Sequence, residues 1–311
     1  RLTRREVQHK TLALAGWMQS KGIGKGDRVA AYLPNCETTL IAMLATASLG
    51  AIFSSCSPDF GLNGVADRFS QITPKLLIAV DGYSYNGKEI DRLSIVAELV
   101  QKLPSLKHVL IDGYNRTTPQ IDNIPKAGLF ADCLSHPPIE SYCRVGFNDP
   151  LYILYSSGTT GAPKCIVHST GGTLIQHIKE HRLHSDISEK DTLFYFTTCG
   201  WMMWNWLVSG LMMQSRVIVY EGNPFYPGPE RLWQIAEAEK MTLFGTSAKY
   251  IDAVRKSGLK PASAFDLSHL RMLCSTGSPL SSEGFGFVYQ AIKQDIQLAS
   301  ISGGTDIMGC F

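Results

Sequence analysis

The sequence predicts an α/β fold with mostly parallel sheets, arranged as two packed subdomains. Two observations lead there. Short apolar runs alternate with segments of helical length along the whole chain, which is the pattern of strands joined by crossover helices. At 311 residues, with 44% hydrophobic and 18% charged residues, the chain exceeds the usual single-domain range and carries enough apolar material for two cores.

The elements follow in order. Thr3 and Glu6 make a capping box, Val7, Thr11, Leu14 and Met18 recur at helical spacing, and Gly22 supplies a stop. Residues 28–33 are an apolar run, Pro34 and Asn35 turn, 37–49 have helical length, and 51–53 are apolar again after Gly50, which is a β-α-β unit. Residues 76–80 and 109–112 read as strands, with a helix near 91–103 between them. The stretch 113–149, rich in turn formers, reads as a connector, so the first subdomain is expected over 1–149. A second series is expected over 150–311. Its strands lie near 151–155, 193–196, 217–220, 243–244, 272–274 and 296–301, and its helices near 171–184, 204–213, 230–240, 248–256 and 281–294.

Composition excludes several function classes. Twenty-nine basic and 27 acidic residues, interspersed, give a formal net charge of +2, with no footprint for nucleic acid or an anionic membrane. No protein partner is legible, and small-molecule partners fit better. The eight cysteines show no metal or redox spacing and read as reduced thiols of a cytosolic protein. The most membrane-like stretch, 38–55, is broken by Thr46, Ser48, Gly50 and Ser54, and a buried helix followed by a strand explains it better than a span. The chain opens on Arg1 and its start reads as truncated.

In parallel sheets ligands sit at loops leaving the carboxyl ends of strands. After the strand 151–155 comes Ser156, Ser157, Gly158, Thr159, Thr160, Gly161, Ala162, Pro163 and Lys164. Glycines let backbone N–H groups turn toward an anion, hydroxyls add donors, and the lysine adds positive charge, so this loop can wrap phosphates. A Ser/Thr-Gly surface turn is the plain alternative, which the length of the run disfavours. Pro163 before Lys164 and Cys165 after it disfavour a Walker A loop.

The run YSSGTTGAPK resembles the signature loop of the adenylate-forming superfamily, which contains acyl-CoA synthetases, luciferases and peptide-synthetase adenylation domains. Ser275 to Leu280 look like the superfamily's adenine turn, and Gly303-Gly304-Thr305-Asp306 is similar to its magnesium motif. The resemblance implies that Ser156, Ser157, Gly158, Thr159, Thr160, Gly161 and Lys164 handle the β- and γ-phosphates of ATP. It sets Gly277, Ser278, Pro279, Ser300, Ile301 and Ser302 around the nucleotide, with Ser302 where many relatives stack an aromatic ring on adenine. The same resemblance implies that Thr305 contacts the α-phosphate and, with Lys164, has a catalytic part, and that Asp306, one methylene shorter than the usual glutamate, ligates Mg²⁺.

Within the superfamily, SPDFGLNGVADRFSQITPKL, GWMMWNW, STGSPL and SISGGTDI resemble the acetoacetate-activating members. That implies ATP-dependent formation of acetoacetyl-AMP and then, with CoA, of acetoacetyl-CoA, feeding lipid synthesis from ketone bodies. The acid pocket is expected from Trp201, Met202, Met203, Thr276 and Gly303. Gly303 stands where acetate enzymes carry a bulky tryptophan, so its lost indole would make room for a longer acid. Trp206 reads as core. His177, His181 and His184, at helical spacing, read as a partly exposed helix face rather than a metal site. The superfamily's ribose-binding segment and small lid domain have no counterpart, so the chain reads as a truncated N-terminal domain, inactive alone. A non-catalytic nucleotide-binding or regulatory form is the other reading.

Overall fold

In the computed structural model, residues 1–156, 161 and 163–311 are described, and the chain divides into two compact units, Arg1–Leu174 and Ile175–Phe311. The first opens with α1 (Arg4–Ser20), and the capping box forms as expected. Thr3 Oγ1 accepts from the Glu6 amide at 3.2 Å and the Glu6 carboxylate accepts from the Thr3 amide at 2.6 Å. The predicted β-α-β unit is β1 (Arg28–Tyr32), α2 (Glu37–Ser48) and β2 (Ile52–Cys56), with the strands parallel from Arg28↔Ile52 to Tyr32↔Cys56. The membrane-like stretch is thus a buried helix and a strand, and among the described residues no helix is long and apolar enough to cross a membrane.

Next come α3 (Leu62–Ile72), β3 (Leu76–Val80), a hairpin of β4 (Gly82–Tyr85) and β5 (Lys88–Asp91), α4 (Leu93–Lys102) and β6 (His108–Asp112). The segment read as a connector supplies β7 (Ala127–Leu129) and α5 (Phe130–Cys133). β7 pairs with β6, and only tertiary pairing makes a strand of so short a run. β8 (Pro150–Tyr155) and β9 (Cys165–Ser169) complete a seven-stranded sheet in the order β7-β6-β3-β1-β2-β8-β9. The subdomain boundary expected at 150 is corrected by this sheet. Phe53 pairs with Tyr152, and the Ser54 hydroxyl donates to the Ile153 carbonyl at 2.7 Å, so β8 closes the first unit instead of opening the second. Both faces of the sheet are covered, and β3 is buried along its whole length, which explains its unbroken apolar run.

α6 (Thr170–Lys179) begins in the first unit and ends in the second, where a wider π-type turn over Glu180–His184 continues it. The second unit then runs through β10 (Thr192–Tyr195), α7 (Met202–Ser209), β11 (Arg216–Ile218), α8 (Arg231–Ala238), β12 (Leu243–Ser247), α9 (Ala248–Ser257), α10 (Pro261–Ala264), β13 (Met272–Thr276), α11 (Ser282–Phe287) and β14 (Gln297–Ser300), and ends in a short hairpin of β15 (Gly303–Gly304) and β16 (Gly309–Cys310). Its main sheet is parallel throughout, in the order β11-β10-β12-β13-β14. Trp233 stacks on Phe244 at 4.8 Å beside Phe194 and Tyr250. Gly245 on β12 lets the Tyr195 ring come within 2.0 Å of where a Cβ would stand.

The amino ends of three strands of this sheet are fastened by one carboxylate. Asp191, just before β10 and almost fully buried, accepts from Thr242 Oγ1 ahead of β12 at 2.7 Å and from Arg271 Nε ahead of β13 at 2.9 Å. It also accepts from the Ser188 amide at 2.8 Å. Burial pushes its pKa up, but the Arg271 guanidinium, the Thr242 hydroxyl and the Ser188 amide outweigh that and hold it below the ordinary value. A depressed carboxyl stabilises the fold above its unfolded pKa and loses that contribution as pH falls through the folded one. Asp191→Asn should therefore lower unfolding free energy near neutral pH by about 2 kcal/mol. In urea titrations the gap to wild type should close as pH is lowered past about 4. A gap of constant size down to about pH 3 would count against this account.

Candidate functional site

In the first unit the phosphate loop is the connection of an antiparallel hairpin. β8 and β9 pair from Tyr152↔His168 to Tyr155↔Cys165, and the loop leaves the carboxyl end of β8. Its two ends are tied reciprocally, because the Ser156 amide donates to the Lys164 carbonyl at 3.0 Å and the Lys164 amide donates to Ser156 Oγ at 3.0 Å. Lys164 and Gly161 are exposed. Ser157, Gly158, Thr159, Thr160 and Ala162 lie outside the described residues. The return limb is held by Gln71 of α3, which donates to the Pro163 carbonyl at 2.8 Å and accepts from Cys165 Sγ at 3.6 Å. Gln71 was not among the sequence-predicted residues, and no local signal reveals it, since its partners are 92 and 94 positions away.

In the second unit the loops after β10, β13 and β14 leave the carboxyl ends of the parallel strands, and the structure brings the predicted residues after β13 and β14 together. Thr276 Oγ1 donates to the Ile301 carbonyl at 3.1 Å, and the Ile301 amide donates to the Ser275 carbonyl at 2.8 Å. The Leu280 amide donates to Ser300 Oγ at 3.3 Å, so the turn through Gly277, Ser278 and Pro279 is stitched to the end of β14. Gly277 has φ +87°, a left-handed conformation that suits glycine. Ser302 pairs with Phe311 through both backbone bonds, at 3.2 and 2.7 Å, extending the β15–β16 ladder. Between those two strands Thr305 and Asp306 occupy the turn, Thr305 half-buried and Asp306 exposed.

α7 supplies the remaining candidates. Trp201, at its amino end, is 55% exposed, whereas Met202, Met203 and Trp206 are buried. Met203 meets Cys310 of β16, with Sγ and Sδ 3.8 Å apart. Cys310 also lies 2.8 Å from where a Gly303 side chain would begin, and burial, followed by the nearby Glu180 charge, pushes its thiol up to about 11. It is thus a neutral apolar contact among Met203 and Gly303, and sequence reading missed it because a lone cysteine carries no pattern.

Two expectations are corrected. His177 and His181 are fully buried rather than on a partly exposed face. His177 Nε2 donates to the Met308 carbonyl at 2.9 Å, and His181 Nε2 lies 3.1 Å from the Trp206 carbonyl and 2.8 Å from Ser209 Oγ. Burial, with His177 alongside, pushes the His181 pKa down to about 3 and keeps the ring neutral. Among the described residues no group of three or more His, Cys, Asp or Glu is placed to hold a metal ion. The second correction concerns Gly303. A Cβ there would stand 2.0 Å from the Gly309 carbonyl oxygen and 2.6 Å from Cys310 Cα, so the glycine serves close approach of two backbones, and an indole cannot be added into open space.

Loops rich in glycine and hydroxyl residues at the carboxyl ends of β8 in the first unit and of β13 and β14 in the second mark an α/β protein of the class that takes its ligands at strand ends, and comparison with known proteins gives its family. The AMP-binding enzyme family matches residues 1–311, and the chain belongs to it. Among its relatives, the acetoacetyl-coenzyme A synthetase of Rhizobium meliloti (strain 1021) is 54% identical over 314 residues, covering 100% of this chain and 48% of that protein. The acetoacetyl-CoA synthetase of Gallus gallus is 46% identical over 318 residues, with the same coverage of both chains. The acetoacetyl-CoA synthetase structure from Streptomyces lividans superposes with a TM-score of 0.93 at 42% identity, covering 98% of this chain and 47% of that one. The chain therefore spans about half the length of the relatives it matches.

The Gly303 geometry generates a measurable expectation. Gly303→Ala forces the β15 and β16 backbones apart, and overpacking of this kind should destabilise the second unit by about 1–3 kcal/mol. Gly304→Ala meets nothing within 4 Å and is the matched control, expected to melt within a degree or two of wild type. Equal thermal midpoints for Gly303→Ala and Gly304→Ala would remove the close-approach explanation.

Proposed function

We propose that this chain is the nucleotide- and acid-binding part of an acetoacetate–CoA ligase, which joins acetoacetate to AMP at the expense of ATP and then passes the acyl group to CoA. The observation that supports it most is the 54% identity to an acetoacetyl-coenzyme A synthetase across the whole chain. In the first step a carboxylate oxygen of acetoacetate attacks the α-phosphorus of ATP and pyrophosphate leaves. In the second the CoA thiol attacks the acyl carbon, AMP leaves with the electron pair of the broken C–O bond, and the thiol proton goes to solvent.

The first step needs no protein nucleophile. Two anions must be held in line and their charge offset. The hydroxyls and amides of Ser156 to Gly161, with the Lys164 ammonium, are the groups that would grip the β- and γ-phosphates. Thr305 would meet the α-phosphate. Gly277, Ser278, Pro279, Ser300, Ile301 and Ser302 would line the adenosine, with no large ring at Ser302 to stack on it. Trp201, Met202, Met203 and Thr276 would form the acid pocket. The Thr276 hydroxyl already donates its proton to the Ile301 carbonyl, so it has no second proton to donate to a keto oxygen of the acid.

Asp306 fits a magnesium ligand. It is an exposed hard-oxygen donor in a turn, and Mg²⁺ commonly takes one or two carboxylates and fills its other positions with water and substrate phosphate. Bound there, the ion would neutralise charge on the phosphates. Asp306 would hold it, and the tight turn closed by the Met308 amide on the Thr305 carbonyl at 3.3 Å would fix the carboxylate beside Thr305.

A substrate panel tests the assignment. In the complete ligase that contains this chain, with ATP and CoA supplied, kcat/KM should favour acetoacetate over acetate and over a medium-chain fatty acid, and preference for either of the others would overturn it. Lys164→Ala should lower acetoacetate-dependent ATP–pyrophosphate exchange by on the order of 10²-fold, as loss of one charge-stabilising donor does elsewhere. Exchange that survives the substitution would take Lys164 out of the reaction.

A further inference from the structure

Glu180 is a nearly fully buried carboxylate in the π-type turn that continues α6, and the reading of the site gives it no part. Its surroundings are specific. Oε1 accepts from Gln176 Nε2 at 2.8 Å and from the Cys310 backbone amide at 3.0 Å, and Lys179 Nζ stands 3.9 Å away. The space it fills exists because residue 309 has no side chain. A Cβ on Gly309 would stand 2.1 Å from Glu180 Oε1 and 2.7 Å from Gln176 Nε2. One helical turn earlier, His177 Nε2 donates to the carbonyl of Met308. Met308 is itself in the left-handed region at φ +52°, which a non-glycine residue adopts only when its surroundings hold it there. Three consecutive residues, Met308, Gly309 and Cys310, are therefore fitted against the helix by a carbonyl bond, a missing side chain and an amide bond.

Those residues are the far limb of the turn that carries Thr305 and Asp306. Burying a carboxylate is unfavourable unless it is fully hydrogen-bonded, and burial does push the Glu180 pKa up. An apolar residue could fill the same volume, but it could not accept from the Cys310 amide.

We propose that Glu180, assisted by His177, is a positioning residue: seated in the gap at Gly309 and bonded to the Cys310 amide, it fixes the register of β16 on β15 and so the placement of Thr305 and Asp306. This rests on the reading above that those two side chains meet the nucleotide and its metal. In that role Glu180 need touch neither substrate nor metal. It acts through the backbone of residues 308–310.

The test compares Glu180→Ala, Glu180→Gln and Gly309→Ala in the complete ligase that contains this chain, otherwise unchanged, with two readouts. Amide hydrogen exchange across residues 303–311 reads the clamp directly and needs no catalysis. Acetoacetate-dependent ATP–pyrophosphate exchange, titrated with MgCl₂, reads its consequence. Glu180→Ala should speed exchange of the Cys310 amide about tenfold or more, as loss of a hydrogen bond to a charged group implies. It should raise half-saturating MgCl₂ and lower kcat severalfold, with the KM for acetoacetate changed less. Gly309→Ala, which puts a methyl group where Oε1 sits, should reproduce both effects. Glu180→Gln keeps an acceptor in place and should restore most of the protection and turnover. An unchanged Cys310 amide in Glu180→Ala overturns the clamp. A loosened amide with wild-type kcat and MgCl₂ response overturns the positioning role. Wild-type protein inert toward acetoacetate, with the amide still loosened in Glu180→Ala, would sink the functional reading and leave the clamp standing. Should Glu180→Ala not fold, Gly309→Ala against Glu180→Gln decides the same questions.

Discussion

A parallel sheet covered on both faces has little room for charged side chains along its strands, and this constraint governs where chemistry can sit in each unit. β3 is buried from end to end, and β10 likewise. Polar function is pushed to the strand termini, and the two termini are used differently. At the amino ends in the second unit, Asp191 gathers Thr242 and Arg271 into one buried knot that sets the relative heights of β10, β12 and β13. The carboxyl ends are left for loops, and the candidate site residues of that unit lie there or on the α7 helix that follows one of those loops.

Those loops are organised mainly by backbone. Hydroxyl groups of Thr276 and Ser300 spend their hydrogen bonds on neighbouring main chain, and Ser156 does the same at the base of the phosphate loop. For an activation step that calls on the protein for placement rather than for a nucleophile, a lattice of short bonds between successive turns is an economical means of holding ligand groups still. The surface beside α7 is different in kind. Around α7, Met202, Met203 and Cys310 are soft, uncharged and buried, so whatever that surface meets would be selected by shape more than by charge.

Much of this was legible beforehand wherever the signal is local. Thr3 and Glu6 announce the first helix three residues apart, the β-α-β unit shows in its alternation, and the loop from Ser156 to Lys164 is continuous in sequence. What stayed hidden depends on distant partners. Gln71 holds the return limb of a loop more than 90 residues away, and β7 is a strand only because β6 lies beside it. The histidines show the same limit. Their spacing was visible, but not that the helix face bearing His177 and His181 is covered by the end of the chain and by α7, so they were read as partly solvated. Gly303 was noticed for the right reason, an absent side chain, and explained by the wrong neighbour. The space it leaves is taken by the Gly309 carbonyl.

The seat at Gly309 also bears on how this region can change over descent. A carboxylate occupying the position of another residue's missing methyl makes positions 180 and 309 one steric unit, so neither can vary alone without disturbing the other. In a thermodynamic cycle their effects should be strongly non-additive, since removing Glu180 first makes room for a side chain at 309. Sequences that carry alanine or a larger residue at 309 are then free to carry a short apolar residue at 180, and that covariation, though the two sites lie 129 positions apart, would trace the hairpin's alternative way of being held.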